Sequence, residues 1–221
     1  MLIQIYEITG PEETAALCAM GVDHIGVLVG DGSFPREQSI ARARDIFAGT
    51  HSGARRCTLS LSGEVQQIAQ IVTALRPDIL HLGAAPGGLL PSDLGRLKAA
   101  FPSLTIMRSI PVFEESSIAI AQRYDGVADV LLLDSYSPGD RQIGAVGVTH
   151  SWDLDRRIVQ SVRSPVIIAG GLGPENVGAA IAASHPAGVD SKTCTDKADG
   201  SHTKDVAKVQ AFVRAARAAS C

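Results

Sequence analysis

Residues 166–177 read Val166-Ile167-Ile168-Ala169-Gly170-Gly171-Leu172-Gly173-Pro174-Glu175-Asn176-Val177. A short continuous apolar run bounded by glycine is the pattern of a strand buried on both faces. The glycines permit a tight turn, and proline followed by an acid is a helix-start signal. The stretch is therefore a strand, a glycine turn and a helix over 174–183, in immediate succession.

Working outward, the same unit recurs. Apolar runs at 2–8, 24–29, 57–61, 79–82, 104–112, 130–133, 166–169 and 188–190 predict eight strands. Helical patterns lie between them. Pro11-Glu12-Glu13 opens one that Gly21 stops, and others cover 39–47, 64–75, 92–101, 115–124, 153–162 and 205–219. Over 64–75 the apolar residues Val65, Ile68, Ile71, Val72 and Leu75 fall at helical spacing. Eight alternating pairs in 221 residues predict an α/β fold, a (β/α)8 TIM barrel forming a single domain over 1–221. An open doubly wound sheet has a similar composition, and periodicity alone does not decide closure.

Composition narrows the function. Hydrophobic residues make up 45% and charged residues 19%, which excludes a disordered chain. Twenty Lys and Arg against 23 Asp and Glu give a net charge of −3, so neither nucleic acid nor an anionic membrane is expected as a partner. No apolar run approaches the roughly 18 residues of a spanning helix. The first residues, Met1-Leu2-Ile3-Gln4-Ile5, lack the features of a signal peptide. Cys18, Cys57, Cys194 and Cys221 are widely spaced, which predicts a reducing, cytoplasmic setting rather than a disulfide framework.

In a barrel of this kind the reactive side chains sit at the C-terminal ends of the strands, and phosphate is held by the loops after strands seven and eight. Gly170 and Gly171 allow close backbone approach at a helix start. The eighth strand runs into Ser191-Lys192-Thr193, two hydroxyls around an ammonium. These five residues are the candidate phosphate site; a plain strand-to-helix turn and a solvated lysine are the alternative reading. Residues 194–202 read as a loop after the last strand.

Asp134 closes the run Val130-Leu131-Leu132-Leu133 and is expected to face the mouth, as a general acid or base or as a turn cap. The first strand ends Tyr6-Glu7, and alternation lets only one of them point inward from a regular strand. Strand-end geometry could still bring Glu7 to the mouth. His81, Arg108 and Arg36 are candidate substrate contacts, the arginines for an anionic group. Each also has a structural reading: a satisfied core histidine, a pairing with Asp134, an exposed arginine. The glycine-containing stretch from Ile143 to Asp153 suits a cover over the site or a packed loop anchored by Trp152.

These residues resemble the phosphoribosylanthranilate isomerase family. Gly21-Val22-Asp23-His24-Ile25-Gly26 is similar to its GAD-x-IG motif, and Ser33-Phe34-Pro35-Arg36 to its SPR. Leu132-Leu133-Asp134 resembles its LLD, Gly144 to Trp152 its glycine loop, and Ala169 to Val177 its AGGL-x-PENV. The resemblance implies a cofactor-free Amadori rearrangement of a phosphorylated ribosyl amine in tryptophan biosynthesis, with Asp134 as acid. It places Tyr6 at the family's basic cysteine and Glu7 at its glycine. Glu7 is then the substitute base and Tyr6 a hydrogen-bond donor. Pro111 stands where the family has an arginine, and Lys192-Thr193-Cys194 stands at its Ser-Ser-Gly. The other readings are a different phosphosugar isomerase or lyase, a non-catalytic phosphate binder, and a weak metal site of Glu7, His81 and Asp134. No metal is the favoured expectation.

Overall fold

The computed structural model describes residues 1–137, 142–144 and 150–220. Eight parallel strands close into a barrel in chain order: β1 (Leu2–Ile5), β2 (His24–Leu28), β3 (Arg55–Ser60), β4 (Ile79–Leu82), β5 (Thr105–Val112), β6 (Val130–Ser135), β7 (Val166–Ile168) and β8 (Gly188–Ser191). β1 pairs with β8 from Leu2 opposite Gly188 to Ile5 opposite Ser191, which closes the ring.

The connecting helices are α1 (Pro11–Ala19), α2 (Ile40–Phe47), α3 (Val65–Leu75), α4 (Pro91–Ala100), α5 (Ser116–Tyr124), α6 (Trp152–Ser161), α7 (Val177–Ser184) and α8 (Val206–Ala218). Their ends follow local chemistry. Ser39 and Ser151 cap α2 and α6 through side-chain oxygens that accept from Arg42 N and Leu154 N. Asp205 does the same for α8, accepting from Ala207 N and Lys208 N. α4 starts at Pro91, one residue before the predicted 92–101, and the Asp93 carboxylate accepts from Leu90 N at 2.7 Å. No described helix is long and apolar enough to cross a membrane.

Strand alternation divides the buried side chains into two cores. One face packs against the helices, with Ile3, Ile25, Leu80, Leu131 and Ile168 among its members. The other fills the barrel, where Tyr6, Cys57, Ile79, Met107, Leu132 and Ile167 cluster. The second face carries Asp134 and His81 toward the mouth.

Several predicted boundaries move; α7 begins at Val177, three residues after the predicted start at Pro174. β1 stops at Ile5 rather than Ile8, because Glu7 adopts φ 59°, the left-handed region that ends extended pairing. After β8 the chain makes a 3₁₀ turn, Thr193–Thr195, and Asp196 bridges back to Lys204, so 194–202 is partly ordered by pairing. Of the predicted cover over the site, residues 145–149 lie outside those described. Trp152 begins α6 and packs against the outer core.

Candidate active site

A cavity opens at the C-terminal ends of the strands. Ten of the eleven residues singled out from the sequence line it: Tyr6, Glu7, Arg36, His81 and Asp134 of the predicted reactive set, and Gly170, Gly171, Ser191, Lys192 and Thr193 of the predicted phosphate site. Tyr6 and Glu7 both reach it. The left-handed turn at Glu7 breaks the alternation that would have sent one of them outward.

Arg108 does not line the cavity. On β5 it shares parity with Ile110 and Val112, whose side chains face the helices. Its Nη1 donates to the carbonyls of Leu82 and Ala84, each at 2.9 Å, and its guanidinium lies 5.3 Å from the Tyr124 ring centre. The expectation that it holds substrate or pairs with Asp134 is corrected: this arginine holds the chain leaving β4. Ser109, of opposite parity, is the β5 residue in the cavity.

Asp134 emerges from the apolar floor of β6. Its Oδ1 accepts from Ser135 N at 2.8 Å. Burial pushes its carboxyl up to about 6, opposed by that hydrogen bond and by the charges of His150 and Lys192. Gly144 (φ 86°) lies against it; a Cβ there would fall 2.1 Å from Oδ2. Ser135 Oγ is 3.2 Å from His150 Nδ1, and His150 Nε2 is 2.8 Å from the fully buried Asp155. This chain ties the start of α6 to the end of β6.

Tyr6 is immobilised. Its hydroxyl lies 2.5 Å from His81 Nδ1 and 3.0 Å from Cys57 Sγ, while His81 Nε2 is 2.7 Å from Ser109 Oγ. Burial, with smaller repulsion from Cys57 and Asp190, pushes the phenol well above its ordinary value. It pushes the Cys57 thiol up to about 12, and His81 down to about 3 with help from the Arg108 charge. At neutral pH all three are uncharged, so this group donates and accepts hydrogen bonds but supplies neither a thiolate nor a phenolate.

Glu7 is a bridge. Oε2 is 2.7 Å from Arg36 Nε and Oε1 is 2.6 Å from Lys192 Nζ. The Arg36 contact falls outside hydrogen-bonding angles and is Coulombic. The two cations come from the loop after β2 and from the end of β8.

The phosphate-side loops are braced to each other. Asn176 Nδ2 donates to the Gly171 carbonyl at 3.0 Å, and its Oδ1 accepts from Gly173 N at 2.8 Å. Ser191 Oγ donates to the Leu172 carbonyl at 2.7 Å. The serine hydroxyl thus joins the two loops, which leaves backbone N–H groups, Lys192 and Thr193 as the groups suited to an anion.

A family model described as N-(5'-phosphoribosyl)anthranilate (PRA) isomerase matches residues 64–215. An enzyme of Methanocella arvoryzae with that name is 33% identical over 216 residues, 97% of each chain. The chain belongs to the N-(5'-phosphoribosyl)anthranilate isomerase family. The isomerase of that name from Haloferax volcanii is 32% identical, covering 98% of this chain and 93% of its own. Among solved structures, the phosphoribosylanthranilate isomerase of Thermotoga maritima superposes with a TM-score of 0.81 at 23% identity, over 99% of both chains. Another isomerase of the family, a complex with reduced 1-(o-carboxyphenylamino)-1-deoxyribulose 5-phosphate, superposes at 0.78 with 22% identity, over 99% of this chain and 100% of that one.

Against this isomerase background, sequence reasoning passed over Asp190. It is the penultimate residue of β8, as Asp134 is of β6, an aspartate following apolar residues, and it lines the cavity. Burial, then repulsion from Asp134, push it up to about 8, against a 3.1 Å bond from Gln4 Nε2. Gln4 Oε1 in turn accepts from His24 Nδ1 at 3.0 Å. The signal for Gln4 was present: a polar residue sharing the inward parity of Tyr6 on an apolar strand. Among the described residues no group of His, Cys, Asp and Glu is arranged to hold a metal ion.

Proposed function

We propose that this chain isomerises N-(5'-phosphoribosyl)anthranilate to its ketose, the Amadori step of tryptophan biosynthesis. The observation that carries the reading is Asp134, a carboxyl raised to about 6 at the cavity mouth and wedged by Gly144. A carboxylic acid still partly protonated near neutrality can donate to the ribose ring oxygen and open the sugar to an imine. A carboxylate then removes the C2′ proton, and the resulting enolamine relaxes to the ketose. Hydrogen shifts within one molecule, so no redox cofactor enters the balance.

Glu7 is the proposed base, lying across the mouth on β1's turn. Asp190, raised to about 8, stays protonated at neutral pH and serves as a hydrogen-bond donor. Tyr6 donates from the floor; His81 holds it there. The phosphate is assigned to the N–H groups around Gly170 and Gly171, with Lys192 and Thr193. Arg36 faces the other end of the ligand. A cytoplasmic location goes with this reading.

The test is turnover of N-(5'-phosphoribosyl)anthranilate by purified protein, with rescue of a tryptophan auxotroph lacking the isomerase. Asp134→Ala is expected to abolish turnover and to keep binding of a phosphorylated product analogue. Unchanged turnover removes Asp134 from the acid role. Soluble wild-type protein that binds the analogue without turnover points to a binder instead.

A further inference from the structure

We infer that His150 is a positioning residue for the acid. Clamped between the Asp155 carboxylate and the Ser135 hydroxyl, it sets a positive charge beside Asp134 and helps that carboxyl release its proton. This rests on the reading above, in which Asp134 protonates the ribose ring oxygen.

The starting point is a buried acid with no part in the reaction so far. Asp155 lies in the first turn of α6 and is fully buried. Both of its oxygens face His150 Nε2, at 2.8 and 3.0 Å. A carboxylate in such a place is costly unless it is paired. Burial pushes Asp155 up, and His150 opposes that shift by hydrogen bond and by charge. At the other edge of the imidazole, Nδ1 meets Ser135 Oγ at 3.2 Å. A protonated imidazole donates from both nitrogens, and here each nitrogen has an acceptor within reach.

Position gives that charge its use. Ser135 follows Asp134 on β6, and its N–H donates to Asp134 Oδ1 at 2.8 Å. A Cβ on Gly170 would lie 2.8 Å from Ser135 Oγ and 2.9 Å from His150 Nδ1, so the bare backbone entering the phosphate loop lets the clamp close up. Neither His150 nor Ser135 lines the cavity, so both act through Asp134 rather than on the ligand. When Asp134 protonates the sugar, its own O–H bond breaks, one forms to the ring oxygen, and a carboxylate is left in a buried site. A neighbouring cation stabilises that carboxylate. His150 and then Lys192 draw Asp134 down, while Asp155 from α6 and Asp190 from β8 repel it.

The experiment compares wild type, His150→Gln and Asp155→Asn, with folding checked by circular dichroism. The Asp134 carboxyl is titrated by NMR in the free proteins. Turnover of N-(5'-phosphoribosyl)anthranilate is followed against pH on the same preparations. His150→Gln is expected to raise the Asp134 midpoint by about 0.5–1 pH unit and to carry the basic limb of kcat with it. Where Asp134 is fully protonated, kcat is expected to fall about three- to tenfold, since the acid is weaker, with KM changed less than about twofold. Asp155→Asn is expected to move the midpoint in the same direction by less, because it removes a repelling anion together with the clamp. If His150→Gln does not fold, Asp155→Asn carries the comparison. An unmoved midpoint and limb in a folded variant, whatever its melting temperature, marks a structural clasp only; it overturns the inference and leaves the isomerase reading standing. Folded wild type without turnover overturns the isomerase reading and the inference with it.

Discussion

A Cβ placed on Gly26 would lie 2.3 Å from Cδ1 of the Tyr6 ring, so the aromatic ring on β1 requires a bare backbone on β2. Tyr6 is buried and fixed at its hydroxyl end by His81 and Cys57, which denies the ring an easy retreat. Overpacking of this kind costs about 1–3 kcal/mol.

Gly26→Ala is accordingly expected to destabilise the protein by about that amount. The same change in a Tyr6→Cys background is expected to cost far less, since the small side chain vacates the space. Urea unfolding of the four proteins gives the coupling directly. Equal costs in both backgrounds would show that the ring is not what excludes a side chain at position 26.

Gly144 holds the corresponding place over Asp134. An alanine there meets Oδ2 at 2.1 Å and must adopt φ 86°. Gly144→Ala is expected to turn the carboxylate and lower kcat by about 10- to 100-fold, because small misplacements of a reacting group are costly. Affinity for a phosphorylated product analogue should change little. Single-turnover kinetics beside calorimetry separates the two effects; a loss confined to binding argues against the wedge.

The two raised aspartates predict how stability depends on pH. Asp134 near 6 and Asp190 near 8 both titrate above the roughly 3.9 of an unfolded aspartate. For a group raised on folding, the stabilising contribution is complete below the unfolded value and is lost as pH rises through the folded one. The fold therefore loses stability between about pH 4 and 8 as these acids are forced to ionise. Asp190→Asn should melt several degrees above wild type at pH 8, with the advantage shrinking toward pH 4. Asp134→Asn should also lower the midpoint of Asp190, by removing a neighbouring negative charge, read by carboxyl NMR or infrared titration. A melting difference that is the same at both pH values would remove these carboxyls as the source.

The barrel was legible because its signal is repeated: a short apolar run followed by a helical pattern, eight times over. The phosphate loops were legible for a similar reason, since Gly170-Gly171 and Ser191-Lys192-Thr193 declare themselves by residue type. What could not be read was direction. Arg108 is one residue from Ser109, yet one serves the loop after β4 and the other the cavity, and only barrel closure assigns the parity. The Glu7 bridge needed a left-handed backbone that no periodicity predicts. Asp190 was legible by the rule that singled out Asp134, but was read only as the lead into the phosphate segment.

Arg108 yields the last prediction. It is 1% exposed, and it donates to the carbonyls of the buried residues Leu82 and Ala84, with a longer bond to the Ala85 carbonyl, which also accepts from Gly88 N. Burial lowers its pKa, but Tyr124 opposes that shift, and Tyr124 itself donates to the Leu89 carbonyl. The arginine is thus the hub joining the segment after β4 to α5. Arg108→Met keeps much of the volume and orphans the carbonyls, so it is expected to cost about 2–4 kcal/mol of stability. Arg108→Lys retains the charge but not the fork that spans two carbonyls, and should fall between. Neither variant is expected to change affinity for a phosphorylated product analogue more than about twofold where the protein is folded. Urea unfolding and calorimetry on the same preparations test both halves. A large loss of affinity with stability intact would return Arg108 to the substrate.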